Sequence, residues 1–81
     1  MDLVALTEYL VKSIVKEKEM VSVKKFEDDE EFITIQVLVD QSDIGAVIGK
    51  SGINANAIRT LVQASSYINK LKKVKINIDS F

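Results

Sequence analysis

The sequence predicts an α+β domain of order αββααβ, a three-stranded sheet covered by three helices, and three observations carry that expectation. Two long stretches repeat apolar residues at helical spacing, two runs alternate apolar and polar residues, and all three glycines crowd between Gly45 and Gly52. With 81 residues there is room for one core, so residues 1–81 are expected to form a single domain.

Leu3, Leu6, Leu10 and Ile14 recur at spacings of three and four, with Val4, Val11 and Val15 widening the stripe. A first helix over residues 2 to about 17 follows, with Glu8 and Lys12 placed for an i,i+4 pair on its outer side. Val21, Val23 and Phe26 mark a short strand. A second strand runs from Phe32 to Val39, with Ile33, Ile35, Val37 and Val39 on one face. Between them Glu27 to Glu31 is wholly acidic, a solvated hairpin turn rather than a metal site. Asp40-Gln41-Ser42-Asp43 supplies helix-capping residues, and Ile44 to Ile48 is long enough for one or two turns before Gly49. From Ile53 onward, Ala57, Leu61, Ala64, Ile68 and Leu71 repeat at four, three, four and three, predicting a long helix to Asn69 or Lys70 with this stripe inward. Val74, Ile76 and Ile78 then alternate with polar residues as a half-buried strand does.

Composition removes several classes of function. Cysteine and histidine are both absent, which excludes disulfides and thiolate zinc sites and removes the commonest general base, so a non-enzymatic protein without cofactor or metal is expected. No apolar run approaches the roughly 20 residues that span a bilayer. The start Met1-Asp2-Leu3 lacks the basic segment of a signal peptide, and a cytoplasmic protein is expected. The net charge is -1 but unevenly spread. Residues 1 to 39 hold five lysines against nine acids, whereas residues 40 to 81 hold Lys50, Arg59, Lys70, Lys72, Lys73 and Lys75 against three acids. Such asymmetry suits a polyanion site in the second half, and equally a solvated surface.

Gly49-Lys50-Ser51-Gly52 is the segment with chemical content. One reading is a tight helix-helix connection in which glycine supplies positive φ; the other is a backbone without Cβ atoms, beside a helix N-terminus and a lysine, that a phosphodiester approaches closely. Gly45 to Ser51 reads almost like the phosphate loop G-x-x-x-x-G-K-[ST], but it is one residue short and is preceded by a helical segment, so ATP hydrolysis is rejected. A DNA-reading helix-turn-helix would have only Asn54, Asn56, Arg59 and Gln63 for base contacts, which is thin for major-groove readout.

Val47-Ile48-Gly49-Lys50-Ser51-Gly52, followed by Ala55 and Ile58, resembles the signature of a KH domain, whose G-x-x-G loop clamps single-stranded nucleic acid. The αββααβ order is similar to the type II, bacterial form, and the whole chain resembles the small bacterial single-KH RNA-binding family of the KhpA type. Gly49-Lys50-x-Gly52 with Ala57-Ile58-Arg59-Thr60-Leu61 is the most specific part. Ile53 departs from the family, which usually has Arg directly after the second glycine; either a phosphate contact is weakened or Ile53 packs into the groove.

The resemblance implies a groove for four nucleotides between the short helix, the loop, the long helix and a sheet edge. Ile44, Val47, Ile48, Ala55 and Ile58 would face the bases, while Lys50, Arg59 and backbone N–H groups near Gly52 would meet the phosphates. Each apolar residue reads equally well as core. Tyr9, Phe26, Phe32, Tyr67 and Phe81 all lie outside the motif, so weak base discrimination is expected. The expected function is RNA binding, as a post-transcriptional regulator or RNA chaperone. A single small groove makes a homodimer, or a heterodimer with a larger KH-containing RNA-binding protein, the expected working form. That hetero-partner, and a link to cell elongation and division, come from the resemblance alone. The rival reading, motivated by the net negative charge and by Ile53, is a KH-shaped protein-interaction module whose RNA groove has been lost.

Overall fold

A computed structural model describes residues 2–27 and 30–81. The elements are α1 (Leu3–Lys12), β1 (Ser22–Phe26), β2 (Phe32–Val39), α2 (Ile44–Ile48), α3 (Ile53–Ile68) and β3 (Lys73–Ser80), the αββααβ order of the α+β domain expected from the sequence. The sheet order is β1-β2-β3, with β1 antiparallel and β3 parallel to β2. The parallel pair requires a crossover, and α2 with α3 supplies it over one face. That face of β2 is fully covered: Ile33, Ile35, Val37 and Val39 are all buried, as their alternation predicts. Ile76 of β3, Val47 of α2 and the inner faces of α1 and α3 complete one core.

Helix α1 starts at Asp2, whose carboxylate accepts from the Val4 N–H at 2.9 Å. It ends about five residues earlier than expected. Ser13 turns back onto the Tyr9 carbonyl, and the backbone N–H groups of Lys16 and Glu17 leave the helix to donate to the Asp43 carboxylate at 3.0 and 2.9 Å. Asp43 therefore does not cap α2 with its side chain, contrary to the expectation for the Asp40 to Asp43 cluster. It is a buried charge satisfied by two amides from a distant segment. Asp40 does the local capping work on the Ser42 hydroxyl and amide, which together hold its carboxyl below the ordinary carboxylate range. The innermost line of α1 is Leu3, Thr7 and Val11, continued by Val15 after the helix, with Leu6, Leu10 and Ile14 packed alongside. Thr7 is tolerated there because its hydroxyl donates to the Leu3 carbonyl at 2.8 Å.

Helix α3 has the predicted extent but the opposite orientation. Its buried residues are Ala55, Ile58, Val62 and Ser66, whereas Ala57, Leu61, Ala64 and Ile68, together with Leu71 just beyond the helix, are exposed. The inner line lies against the sheet and α1, and its one polar member is satisfied there, the Ser66 hydroxyl donating to the Lys72 carbonyl. The helix stops through Lys70, a non-glycine residue at φ 57°, and the Leu71 N–H closes onto the Ser66 carbonyl at 2.8 Å.

At the hairpin, Asp28 and Asp29 of the acidic turn lie outside the described residues. Glu27, Glu30 and Glu31 are exposed, and Glu27 lies 3.9 Å from the Lys72 ammonium. Among the described residues no helix is long and apolar enough to cross a membrane.

Candidate nucleic-acid interface

The connection between α2 and α3 has a backbone that few sequences can adopt. Gly49 sits at φ 78°, ψ 170°, Ser51 at φ 56°, ψ 25° and Gly52 at φ 76°, ψ 14°. Three of four consecutive residues thus have positive φ, and the two most extreme are glycines. Ser51 is the strained member, since a left-handed conformation costs a non-glycine residue about 1 kcal/mol.

Asn54 braces this turn. Its side-chain amide donates to the Ala46 carbonyl at 2.8 Å, joining the end of α2 to the start of α3 and satisfying one terminal carbonyl of the short helix. A Cβ at Gly49 would lie 2.9 Å from the Asn54 amide carbon and nitrogen. Gly49 is therefore required twice, for its φ and for the room its absent side chain leaves to the brace. A Cβ at Gly52 would meet nothing closer than 3.8 Å, so only its φ demands glycine.

The expected contact residues divide into two groups. Lys50 and Ser51 are exposed at the turn, Ile48 is 39% exposed beside them, and Ile44 is half-buried. Val47, Ala55 and Ile58, by contrast, are buried in the core. They are 0, 3 and 3% exposed and pack beneath the α2–α3 connection as core. Arg59 points across to the sheet, where its Nε lies 3.4 Å from the Ile76 carbonyl and one terminal nitrogen 3.4 Å from the Asn56 side chain. Both contacts are long, so the guanidinium is steered rather than consumed. They identify the sheet edge beside the loop as β3, against which α2 and α3 both pack. Sequence reasoning did not name that strand, and its short-range pattern carries no signal of which edge the helices approach.

The basic second half of the chain does not converge on the turn. Lys72, Lys73 and Lys75 lie at the start of β3, where Lys72 approaches Glu27, the Lys73 amide donates to the Glu31 carbonyl and the Lys75 ammonium sits 4.2 Å from the centre of the Phe32 ring. Lys70 follows the far end of α3, roughly 25 Å from Ile53 at 1.5 Å per residue. Lys50 lies in the turn itself, and Arg59 stands about two helical turns further along α3. The residues a duplex-reading helix would use are also engaged internally: Asn54 with Ala46, Asn56 with Arg59, and Gln63 with the Val74 amide of β3 at 2.9 Å.

Helix α3 carries a second feature, of which Leu61, Ile68 and Leu71 were expected to face inward. Ile53, Leu61, Tyr67, Ile68 and Leu71 are 65, 52, 80, 76 and 49% exposed, in one band from the turn to the end of the helix. A groove of about 690 Å³ runs along this side between Arg59, Gln63, Tyr67, Ile68 and Val74. The signal was present in the sequence as a second apolar stripe, Ala55-Ile58-Val62, one step out of phase with the first.

Residues 4–79 match the model of the KhpA/KhpB KH domain. RNA-binding protein KhpA of Streptococcus pneumoniae serotype 4 is 40% identical over 70 residues, covering 86% of this chain and 85% of that protein. RNA-binding protein KhpA of Clostridium perfringens is 41% identical over 73 residues, covering 90% of this chain and 95% of that one. Among solved structures, a crystal structure of an Aquifex aeolicus Era variant bound to GDP.AlF4- superposes with a TM-score of 0.74 at 14% identity. That match covers 98% of this chain and 30% of the Era chain, a likeness of fold.

Proposed function

Because the chain belongs to the KhpA/KhpB KH-domain family, we propose that it is a cytoplasmic RNA-binding protein that holds short single-stranded RNA over the Gly49 to Gly52 turn. The observation that carries this reading is the braced run of positive φ, which puts a strained Ser51 beside the exposed Lys50 between two glycines. Phosphates approach Lys50 and the N–H groups at the start of α3, with Arg59 as a second cation and Ile44 and Ile48 as apolar surface for bases. No aromatic side chain of the same copy lies in the turn, so affinity is modest, strongly salt-dependent and little sensitive to sequence.

The test is the double variant Lys50→Asp, Ser51→Asp, in which both glycines remain and aspartate, a residue tolerant of the left-handed region, replaces Ser51. RNA affinity at low salt should fall by at least about tenfold with the melting temperature unchanged. Unchanged affinity in the folded variant would reject the turn as the RNA site. The same titration separates the protein-only reading, for which Ile53 in place of a basic residue is the motivating feature: a protein-only module shows no saturable, salt-dependent binding.

The working form is a dimer packed across the exposed face of α3. Ile53, Leu61, Tyr67, Ile68 and Leu71 together leave on the order of 600 Å² per copy uncovered, close to the roughly 800 Å² per partner of a standard interface. A KH domain of a larger RNA-binding protein fits the same face in a heterodimer, and the family resemblance points to a role in RNA regulation during cell elongation and division. Light scattering reads the self-association directly.

A further inference from the structure

We infer that the RNA site is composite, with Lys70 of one copy completing the Gly49 to Gly52 turn of the other. The inference rests on the dimer across α3 proposed above. It begins with the order of residues on the exposed band, Ile53, Ala57, Leu61, Ala64 and Ile68, which reads Ile-Ala-Leu-Ala-Ile in either direction. Ile53 and Ile68, and likewise Ala57 and Ala64, are equidistant from a midpoint between Thr60 and Leu61. Two copies related by a two-fold axis through that midpoint, with their α3 helices antiparallel, therefore set Ile53 against the partner's Ile68 and Ala57 against the partner's Ala64. The alanines allow close approach on either side of the central Leu61 and the isoleucines close the ends. Antiparallel helices also oppose their dipoles, whereas a parallel pair would align them and set Lys70 against the partner's Lys70 far from either turn.

The same pairing carries on past the helix ends and sets Ser51 opposite the partner's Lys70. Within one copy that lysine has no connection to the turn, standing at the other end of a 16-residue helix. It is exposed, held at φ 57°, and lines a groove of about 490 Å³ with Tyr67, Ile68 and Leu71, the end of the band that meets the turn of the second copy. The exposed Tyr67 ring travels with it and supplies the stacking surface that the turn itself lacks.

Charge favours RNA as what lies between them. From Ile44 to Ile78 the chain has no acidic residue, so Lys50 and the partner's Lys70 would meet with no carboxylate from either helix or turn to offset them. A phosphodiester in the gap converts that repulsion into binding and links RNA affinity to dimerisation. The composite site also reunites basic residues that the fold of a single copy keeps apart.

The test is complementation between copies. A Lys70→Glu chain and a Lys50→Asp, Ser51→Asp chain, carrying different affinity tags, are co-expressed and the mixed dimer is isolated on both tags. Binding of a fluorescein-labelled single-stranded RNA is then followed against salt. The Lys50→Asp, Ser51→Asp homodimer should bind at least about tenfold, and the Lys70→Glu homodimer at least about fivefold, more weakly than wild type, with Lys70→Glu lowering the salt slope by about one per groove. The mixed dimer holds one intact turn facing one intact Lys70 and should regain wild-type affinity at half the stoichiometry. A mixed dimer no tighter than the Lys70→Glu homodimer, or a Lys70→Glu homodimer that binds as wild type does, overturns the composite site. Failure of the underlying readings is seen separately: wild-type chain that scatters as a monomer removes the dimer, and wild-type dimer that binds no RNA removes the RNA site.

Discussion

The two faces of α3 are nearly matched in apolar character and opposite in fate. Ala55, Ile58 and Val62 are buried against the sheet and α1, while Ile53, Leu61 and Ile68 face outward. Periodicity alone distinguishes a helix from a strand but does not rank two stripes on the same helix. What ranks them lies outside the helix: the inner line is the one that β3 and α1 cover, and both lines mix alanine with isoleucine.

Placing the same charge on each face would break this comparison most sharply. Val62→Asp puts an unpaired carboxylate into the core, and its cost of several kcal/mol should leave no cooperative thermal transition. Leu61→Asp, one residue away, should keep the monomer's far-UV spectrum and cooperative melt but halve the mass seen by light scattering. If both variants unfold, the outer face is structural in the monomer and the comparison fails.

A smaller effect is expected at the start of the helix, where Gly49→Ala displaces the Asn54 brace and forces a side chain into φ 78°. We expect a loss of about 1–3 kcal/mol in chemical denaturation together with weaker RNA binding. Gly52→Ala, which strains φ without a clash, should cost less. The smallest effect lies at the other end of the helix and has the opposite sign: Lys70→Gly relieves a left-handed lysine at the helix stop, so the monomer should gain up to about 1 kcal/mol. The composite site predicts that this more stable variant binds RNA less well, since glycine brings no charge to the partner's turn.

Much of this arrangement was legible in the residues. The element order, the buried line of β2 and the importance of the glycine turn followed from alternation, spacing and the crowding of all three glycines. The early end of α1 was not legible, because it depends on Asp43 accepting bonds from a segment more than twenty residues away, and such pairings leave no local pattern. Asp43 read as a cap for the same reason. The apparent basic half was misleading in another way: the lysines around the start of β3 lie beside the acidic hairpin, and adjacency along a strand says nothing about distance from the turn. Val47, Ala55 and Ile58 carried both a core and a contact reading, and only the packing of α2 and α3 on the sheet separated the two.

The Asp43 carboxylate has a consequence for how the molecule opens. Its two oxygens hold the chain leaving α1, at Lys16 and Glu17, to the first turn of α2, the helix that leads into the glycine turn. Local detachment of α1 would strand a buried charge without these two amide donors, so the N-terminal helix and the short helix share one opening event instead of fraying independently. The strained backbone at Ser51 is thereby held from two sides, by the Asn54 brace within the turn and by the segment leaving α1 that is tied to the start of α2.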